Sequence, residues 1–79
     1  MRLKTSEKEW ADAAKRFLKV ELKRAELTYA KLAERLKGHG LVETEASITS
    51  KLNRGTFAAT FFLACLAALE LEGIRLEDI

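Results

Sequence analysis

Apolar residues recur at helical spacing along the first third of the chain. The face they form comprises Trp10, Ala13, Ala14, Phe17, Leu18, Leu22 and Ala25. A 3.6-residue period of this kind is typical of an amphipathic helix with one buried side. Ser6 and Glu9 stand just before this run, at the spacing of a capping box. We therefore predict a first helix over residues 6–26. Its solvated side carries the row Lys15, Lys19 and Lys23.

The next two segments each begin with a threonine and end with a glycine. Thr28 and Thr44 are typical N-cap residues, and Gly38 and Gly55 stand where helices commonly end. These signals predict helices over residues 28–38 and 44–54. The side of the second helix that is predicted to face the core consists of Leu32, Ala33 and Leu36.

The third predicted helix has an unusual surface. Only Ile48 and Leu52 are large and apolar, so we expect this helix to rest on the core by a narrow edge. Its outward side comprises Ala46, Ser47, Ser50, Asn53 and Arg54, with Thr49 and Lys51 at the flanks. Small hydroxyls, an amide and an arginine suit close approach to a surface rich in hydrogen-bond acceptors.

The fourth predicted helix, residues 58–72, is apolar on nearly every side. A helix of this kind is buried, and a chain of 79 residues can surround one only with difficulty. Two interpretations stay open: a central helix of the bundle, or a helix partly buried between two copies of the chain. The second places a homodimer interface at Phe61, Phe62, Leu63 and Leu66. Gly73 is expected to stop the helix, and residues 74–79 to form a short turn or strand.

The composition excludes several functional classes. The chain has one cysteine, one histidine and no proline. A single cysteine cannot form an internal disulfide, and one cysteine with one histidine gives none of the usual zinc-site spacings. His39 lies between two glycines and Cys65 lies in an apolar segment, so we expect neither to act in catalysis. We predict a single all-helical domain over residues 1–79 that is not an enzyme and holds no metal or cofactor.

The chain shows no sign of membrane insertion. Its first ten residues have no apolar stretch behind their charges, and the longest apolar run, residues 57–69, is too short to cross a bilayer. We therefore expect a cytoplasmic protein that has no membrane partner.

Charge is unevenly distributed along the chain. Residues 1–55 carry thirteen Lys and Arg against eight Asp and Glu, a net charge of +5, whereas residues 56–79 carry one against four. A positive body permits an anionic partner on one face, although a charge of +5 is modest for a nucleic-acid-binding protein.

The order of the pieces adds a further indication. A long helix is followed by Leu-Thr-Tyr-Ala-Lys-Leu-Ala, a turn, a short polar helix ending in Asn-Arg-Gly, and an apolar helix. This arrangement resembles the helix-turn-helix domains of the lambda-repressor-like (Xre-type) superfamily over roughly residues 13–77. The residues that carry the resemblance are Leu27, Thr28, Leu32, Ala33, Leu52, Arg54 and Gly55. The whole chain also resembles a group of small uncharacterised bacterial proteins that share Thr-Glu-x-x-Ile, Arg-Gly and Phe-Phe-x-x-Cys-Leu elements.

The resemblance to the superfamily implies a compact bundle of four to five helices that binds double-stranded DNA. The threonine at the Thr28 position caps the second helix, the residue after it, here Tyr29, contacts a phosphate, and the third helix enters the major groove. The chain departs from the pattern in two places. Residues 37–44 lengthen the turn between the second and third helices, and Tyr29 stands where glutamine is frequent.

Two functions therefore stay open. The first is a sequence-specific transcriptional regulator, a homodimer that inserts its third helix in the major groove of DNA. Its predicted DNA contacts are Thr28, Tyr29, Ser47, Thr49, Ser50, Lys51, Asn53 and Arg54. The second is a helical protein-interaction module that does not bind DNA. The modest net charge favours this alternative, as do Glu43 and Glu45 at the start of the third helix.

Overall fold

A computed structural model describes residues 3–79 and contains four α-helices. They are α1 (Glu7–Arg24), α2 (Tyr29–Gly38), α3 (Glu45–Arg54) and α4 (Ala59–Ala68), followed by a single 3-10 turn at Leu76–Asp78. Residues 3–79 contain no β-strand. The predicted all-helical class is confirmed, and residues 74–79 form a turn and not a strand.

One hydrophobic core joins the helices. Its buried side chains are Leu18, Leu22, Leu32, Leu36, Ile48, Leu52, Phe61, Cys65, Ala68 and Leu69. The main helix pairs are α1 with α3, α2 with α3, and α2 with α4. Helix α2 therefore packs against both α3 and α4, and α3 packs against both α1 and α2.

Side-chain caps fix the starts of the first three helices. The hydroxyls of Ser6, Thr28 and Thr44 each accept a hydrogen bond from the backbone N–H three residues further on. The predicted capping box at α1 is only half formed, because the Glu9 carboxylate accepts from the N–H and hydroxyl of Thr5. A complete box forms at α3 instead, where Ser47 returns the bond to the Thr44 backbone.

Three helices end in the same way, with a leucine folded back onto the core. The backbone N–H groups of these residues donate to a carbonyl five residues earlier, in the pairs Leu27–Leu22, Leu41–Leu36 and Leu71–Leu66. This is the Schellman motif, which places the preceding residue in the left-handed region. Those residues are Glu26, Gly40 and Glu70, with φ of 54°, 87° and 61°.

These ends correct three predicted helix boundaries, of which those of the second and fourth helices rested on glycines. The left-handed residue after α2 is Gly40, whereas Gly38 is the last helical residue. Helix α1 ends at Arg24, so Ala25 is exposed rather than part of the buried face. Helix α4 ends at Ala68, well before Gly73. The guanidinium of Arg35 in α2 donates to the Ala68 carbonyl at 2.9 Å and satisfies this helix end.

Gly55 ends α3 as predicted and also sets how closely α3 approaches α1. Its φ is 77°, and a Cβ at this position would lie 2.6 Å from the carbonyl oxygen of Ala11. A side chain does not fit there. The end of α3 therefore touches the backbone of α1.

None of the helices within residues 3–79 combines the length and the apolar character that crossing a bilayer demands.

Candidate nucleic-acid interface

Helix α3 is attached to the core by one narrow edge. Ile48 and Leu52 are fully buried, one helical repeat apart. The opposite side is exposed and is called here the outer face of α3; it consists of Ala46, Thr49, Ser50, Asn53 and Arg54. The outward orientation predicted for Ala46, Ser50, Asn53 and Arg54 is confirmed, and Thr49, which was predicted at the flank, is exposed as well.

Two of the DNA contacts predicted on α3 lie away from this face. Ser47 and Lys51 form an edge of α3 next to α4, and both bind the carboxylate of Glu43 from the preceding turn. The Ser47 hydroxyl donates to Glu43 Oε1 at 2.6 Å, and Lys51 Nζ lies 2.5 Å from Glu43 Oε2. Lys51 Nζ also lies 5.0 Å from the centroid of the Phe61 ring. Ser47, predicted on the outward side, therefore faces the preceding turn, whereas Lys51 lies at a flank as predicted; that either side chain contacts DNA stays a prediction.

The environment of Glu43 favours its charged form. Burial of this carboxylate raises its pKa, but the hydrogen bonds from Lys51 and Ser47 together lower it more, so the net pKa lies below that of an ordinary glutamate. Glu43 is consequently a carboxylate at neutral pH, and its charge is largely compensated by Lys51.

The polar groups of the outer face differ in how far they are engaged. The Thr49 hydroxyl donates to the Glu45 carbonyl one turn earlier in the same helix, at 2.9 Å. Within residues 3–79, neither the Ser50 hydroxyl nor the Asn53 carboxamide hydrogen-bonds to another group of the chain. Ser50 and Asn53 therefore present free donors and acceptors to solvent.

Positive charge gathers at the C-terminal end of α3. The Arg54 guanidinium donates to the Thr56 carbonyl through Nε and Nη2, each at 3.3 Å, which leaves its other N–H groups free to point outward. Lys15 of α1 donates to the Asn53 carbonyl at 3.3 Å. The sequence predicts Lys15 only as a lysine on the solvated side of the first helix. Sequence spacing could not reveal this contact, because 38 residues separate the partners.

Thr28 and Tyr29 act mainly in packing and capping. The Thr28 hydroxyl accepts from the Lys31 N–H at 3.2 Å and so caps α2, as predicted. The Tyr29 ring is half-buried against the hydrophobic core. A phosphate contact by Tyr29 stays a prediction that rests on the resemblance alone.

The residues predicted to form a dimer interface are divided between core and surface. Phe61 is only 2% exposed and Leu66 is also buried, so both pack inside the single chain. Phe62 is half-buried; its ring stacks on that of Phe57 and lies tilted against that of Phe17. Leu63, at 63% exposed, is the one member of the four on the surface. The apolar character of α4 is therefore explained mostly by the core of one chain.

Cys65 and His39 offer no reactive pair. Cys65 is buried in α4, and burial, together with the nearby charge of Glu43, raises the pKa of its thiol to about 12. His39 is exposed at the end of α2. Among the residues that the structure describes, no three His, Cys, Asp or Glu side chains lie close enough together to hold a metal ion.

A family model described as Domain of unknown function (DUF6471) matches residues 10–74 of the 79. The chain belongs to this family. No curated protein and no solved structure matches the chain significantly.

The DUF6471 match covers all of α2, α3 and α4, and therefore the whole outer face of α3 and Gly55. It begins within α1 and ends before the final 3-10 turn. The match carries no link to the lambda-repressor-like superfamily, so that resemblance stays a prediction.

Proposed function

We propose that this protein is a sequence-specific DNA-binding regulator that places the outer face of α3 in the major groove. One observation carries the proposal: Ser50 and Asn53 are exposed on a helix that buries only two side chains, and within residues 3–79 their own side chains make no hydrogen bond to another group. A carboxamide pairs with the N6 and N7 edge of adenine, and a serine hydroxyl pairs with several base edges.

The charges around α3 suit one orientation on a duplex. Arg54 and Lys15 lie at its C-terminal end, where they can meet phosphates. At the N-terminal end of α3, Lys51 compensates the charge of Glu43. Glu45 is therefore the carboxylate at this end that faces the phosphate backbone of DNA without a compensating cation. The predicted contacts are accordingly reduced to Ser50, Asn53 and Arg54, with Thr49 at the edge and Lys15 added.

Fluorescence anisotropy on duplex DNA tests the proposal. The probes are genomic fragments flanking the protein's own gene and a random-sequence duplex, each at two salt concentrations. Asn53→Ala should weaken binding to the preferred fragment roughly tenfold or more, while binding to the random duplex changes little. Arg54→Ala should weaken binding to both and reduce the salt slope by about 0.9.

The matched control is Arg16→Ala. Arg16 is an exposed arginine of α1 that lines the cleft against the C-terminal segment, away from the outer face of α3. This variant removes the same charge, so it should leave both affinities near the wild-type values. Equal losses for Arg16→Ala and Arg54→Ala would show general charge attraction and not recognition through α3.

A second candidate is a protein-interaction module, and the exposed side of α4 favours it. Thr60, Leu63 and Ala67 form a surface that bears no charge, with Leu63 projecting from it. Weak binding to every duplex, unchanged by Arg54→Ala, would favour this candidate. Light scattering of wild type and Leu63→Lys tests the homodimer predicted from the sequence: Leu63→Lys should convert a dimer mass to a monomer mass.

A further inference from the structure

The turn before α3 holds a carboxylate in an unusual position for a DNA-binding surface. Glu43 has a side chain only 9% exposed, and its two oxygens accept from Ser47 and Lys51. Ser47 and Lys51 lie one turn apart on the same edge of α3, and Glu43, just before the N-cap Thr44, reaches both of them. Lys51 reaches back along this edge and is itself only 28% exposed.

The contact with Phe61 fixes where the ammonium group of Lys51 lies. Phe61 is buried in α4, and Lys51 Nζ lies 5.0 Å from its ring centroid. The ion pair and the ring together keep this cation between α3 and α4. Of the two cations in α3, Lys51 and Arg54, only Arg54 is at an exposed position.

We propose that Glu43 is a specificity-determining residue that withholds Lys51 from the phosphates of DNA. Phosphate contacts raise the affinity for all sequences alike, and each adds about 0.9 to the salt slope on duplex DNA. A protein in which Lys51 makes no phosphate contact binds random DNA less tightly. Its affinity for DNA then depends more on the base contacts of Ser50 and Asn53. This inference rests on the proposed function, since it concerns how the same surface discriminates between sequences.

The test is a double-mutant cycle on wild-type protein, Glu43→Gln, Lys51→Met and the double variant. Glutamine keeps an acceptor for Ser47 but removes the ion pair, and methionine keeps the packing of the lysine stem on Phe61. Anisotropy is measured on a random-sequence duplex and on the preferred fragment over a range of salt concentrations. Urea denaturation of each variant confirms that it is folded at the temperature used.

Glu43→Gln should tighten binding to the random duplex several-fold and steepen its salt slope by about 0.9. In the wild-type background Lys51→Met should leave the salt slope unchanged, although the Glu43 carboxylate that it leaves unpaired weakens binding somewhat; in the Glu43→Gln background it should reverse both changes. Glu45→Gln is the control for charge alone, because Glu45 is an exposed carboxylate in the first turn of the same helix and has no ion pair within residues 3–79.

Each outcome is decisive. If Lys51→Met reduces the salt slope of the otherwise wild-type protein by about 0.9, Lys51 already contacts phosphate and the inference is overturned, whether or not the Glu43 variant folds. If Glu45→Gln matches Glu43→Gln, the effect is loss of negative charge only, and the inference again fails. If wild-type protein shows no preference for any fragment, the proposed function fails and this inference fails with it.

Discussion

Helices α3 and α4 have the same length but are held in the fold by different means. Each has ten residues. Helix α3 buries two of them and exposes a polar face, whereas α4 buries Phe61, Cys65, Leu66 and Ala68 and carries no charge. Burial of apolar surface contributes about 25 cal/mol per Å², so α4 gains most of its stability from the core. Helix α3 depends more on its two ends.

The ends of the two helices show this difference directly. Helix α3 begins with a complete capping box at Thr44 and ends at the left-handed Gly55. Helix α4 begins at Ala58 with no side-chain cap, and its last carbonyl is bound by Arg35 of α2. The limits of α3 are therefore encoded locally, while those of α4 depend on a neighbouring helix. A polar helix that keeps its outer face free of packing needs such strong ends.

Gly55→Ala should produce the largest effect. The new Cβ would overlap the Ala11 carbonyl oxygen, and alanine is disfavoured at a φ of 77°. We expect a loss of roughly 3 kcal/mol in the free energy of unfolding, because the conformational cost and the steric clash act together. Urea denaturation followed by circular dichroism measures this loss.

Gly40→Ala is the matched control for that variant. Gly40 also has a positive φ, of 87°, but a Cβ there would meet nothing within 4 Å. Only the conformational cost remains, so the expected loss is about 1 kcal/mol. Equal losses at the two glycines would contradict the close approach of α3 to α1.

The same contrast explains which helix limits could be predicted. The third helix was predicted over residues 44–54 and lies at Glu45–Arg54, because its cap and its glycine are signals within the segment. The fourth was predicted over residues 58–72, because Gly73 is the first glycine after it. The helix in fact ends at Ala68, and Glu70, not a glycine, adopts the left-handed conformation that ends it. The packing of Leu71 on the core and the bond from Arg35 favour this end, and both are tertiary contacts.

The candidate site was predictable only where helical spacing alone decides the direction of a side chain. Helical spacing from Ile48 and Leu52 is sufficient to place Ser50, Asn53 and Arg54 outward. It could not show that Ser47 and Lys51 turn toward Glu43, because that arrangement requires a folded turn before α3 and the Phe61 ring of α4 beside it. Nor could it bring Lys15 to the end of α3.

Arg35→Ala tests whether the end of α4 depends on its neighbour. Loss of a hydrogen bond from a charged donor to the Ala68 carbonyl should reduce the free energy of unfolding by about 1–2 kcal/mol. Amide hydrogen exchange should also accelerate at residues 69–71, where the last turn of α4 closes. Lys37→Ala, which removes an exposed cation from the same helix, should have little effect. If both variants behave alike, the end of α4 is held by the core alone.

The smallest expected effect concerns the pH dependence of the start of α3. The pKa of Glu43 is lower in the folded chain than the ordinary value, so its ion pair with Lys51 stabilises the fold above that ordinary value. This stabilisation decreases as the pH falls through the ordinary pKa, near 4.3, and then through the lower pKa of the folded state. The stability difference between wild type and Glu43→Gln should therefore be larger near pH 7 than near pH 3. Urea denaturation of both proteins at the two pH values measures it.

Asp12 titrates in both proteins, so its contribution cancels in the comparison. A difference that stays constant with pH would mean that the charge of Glu43 does not stabilise α3.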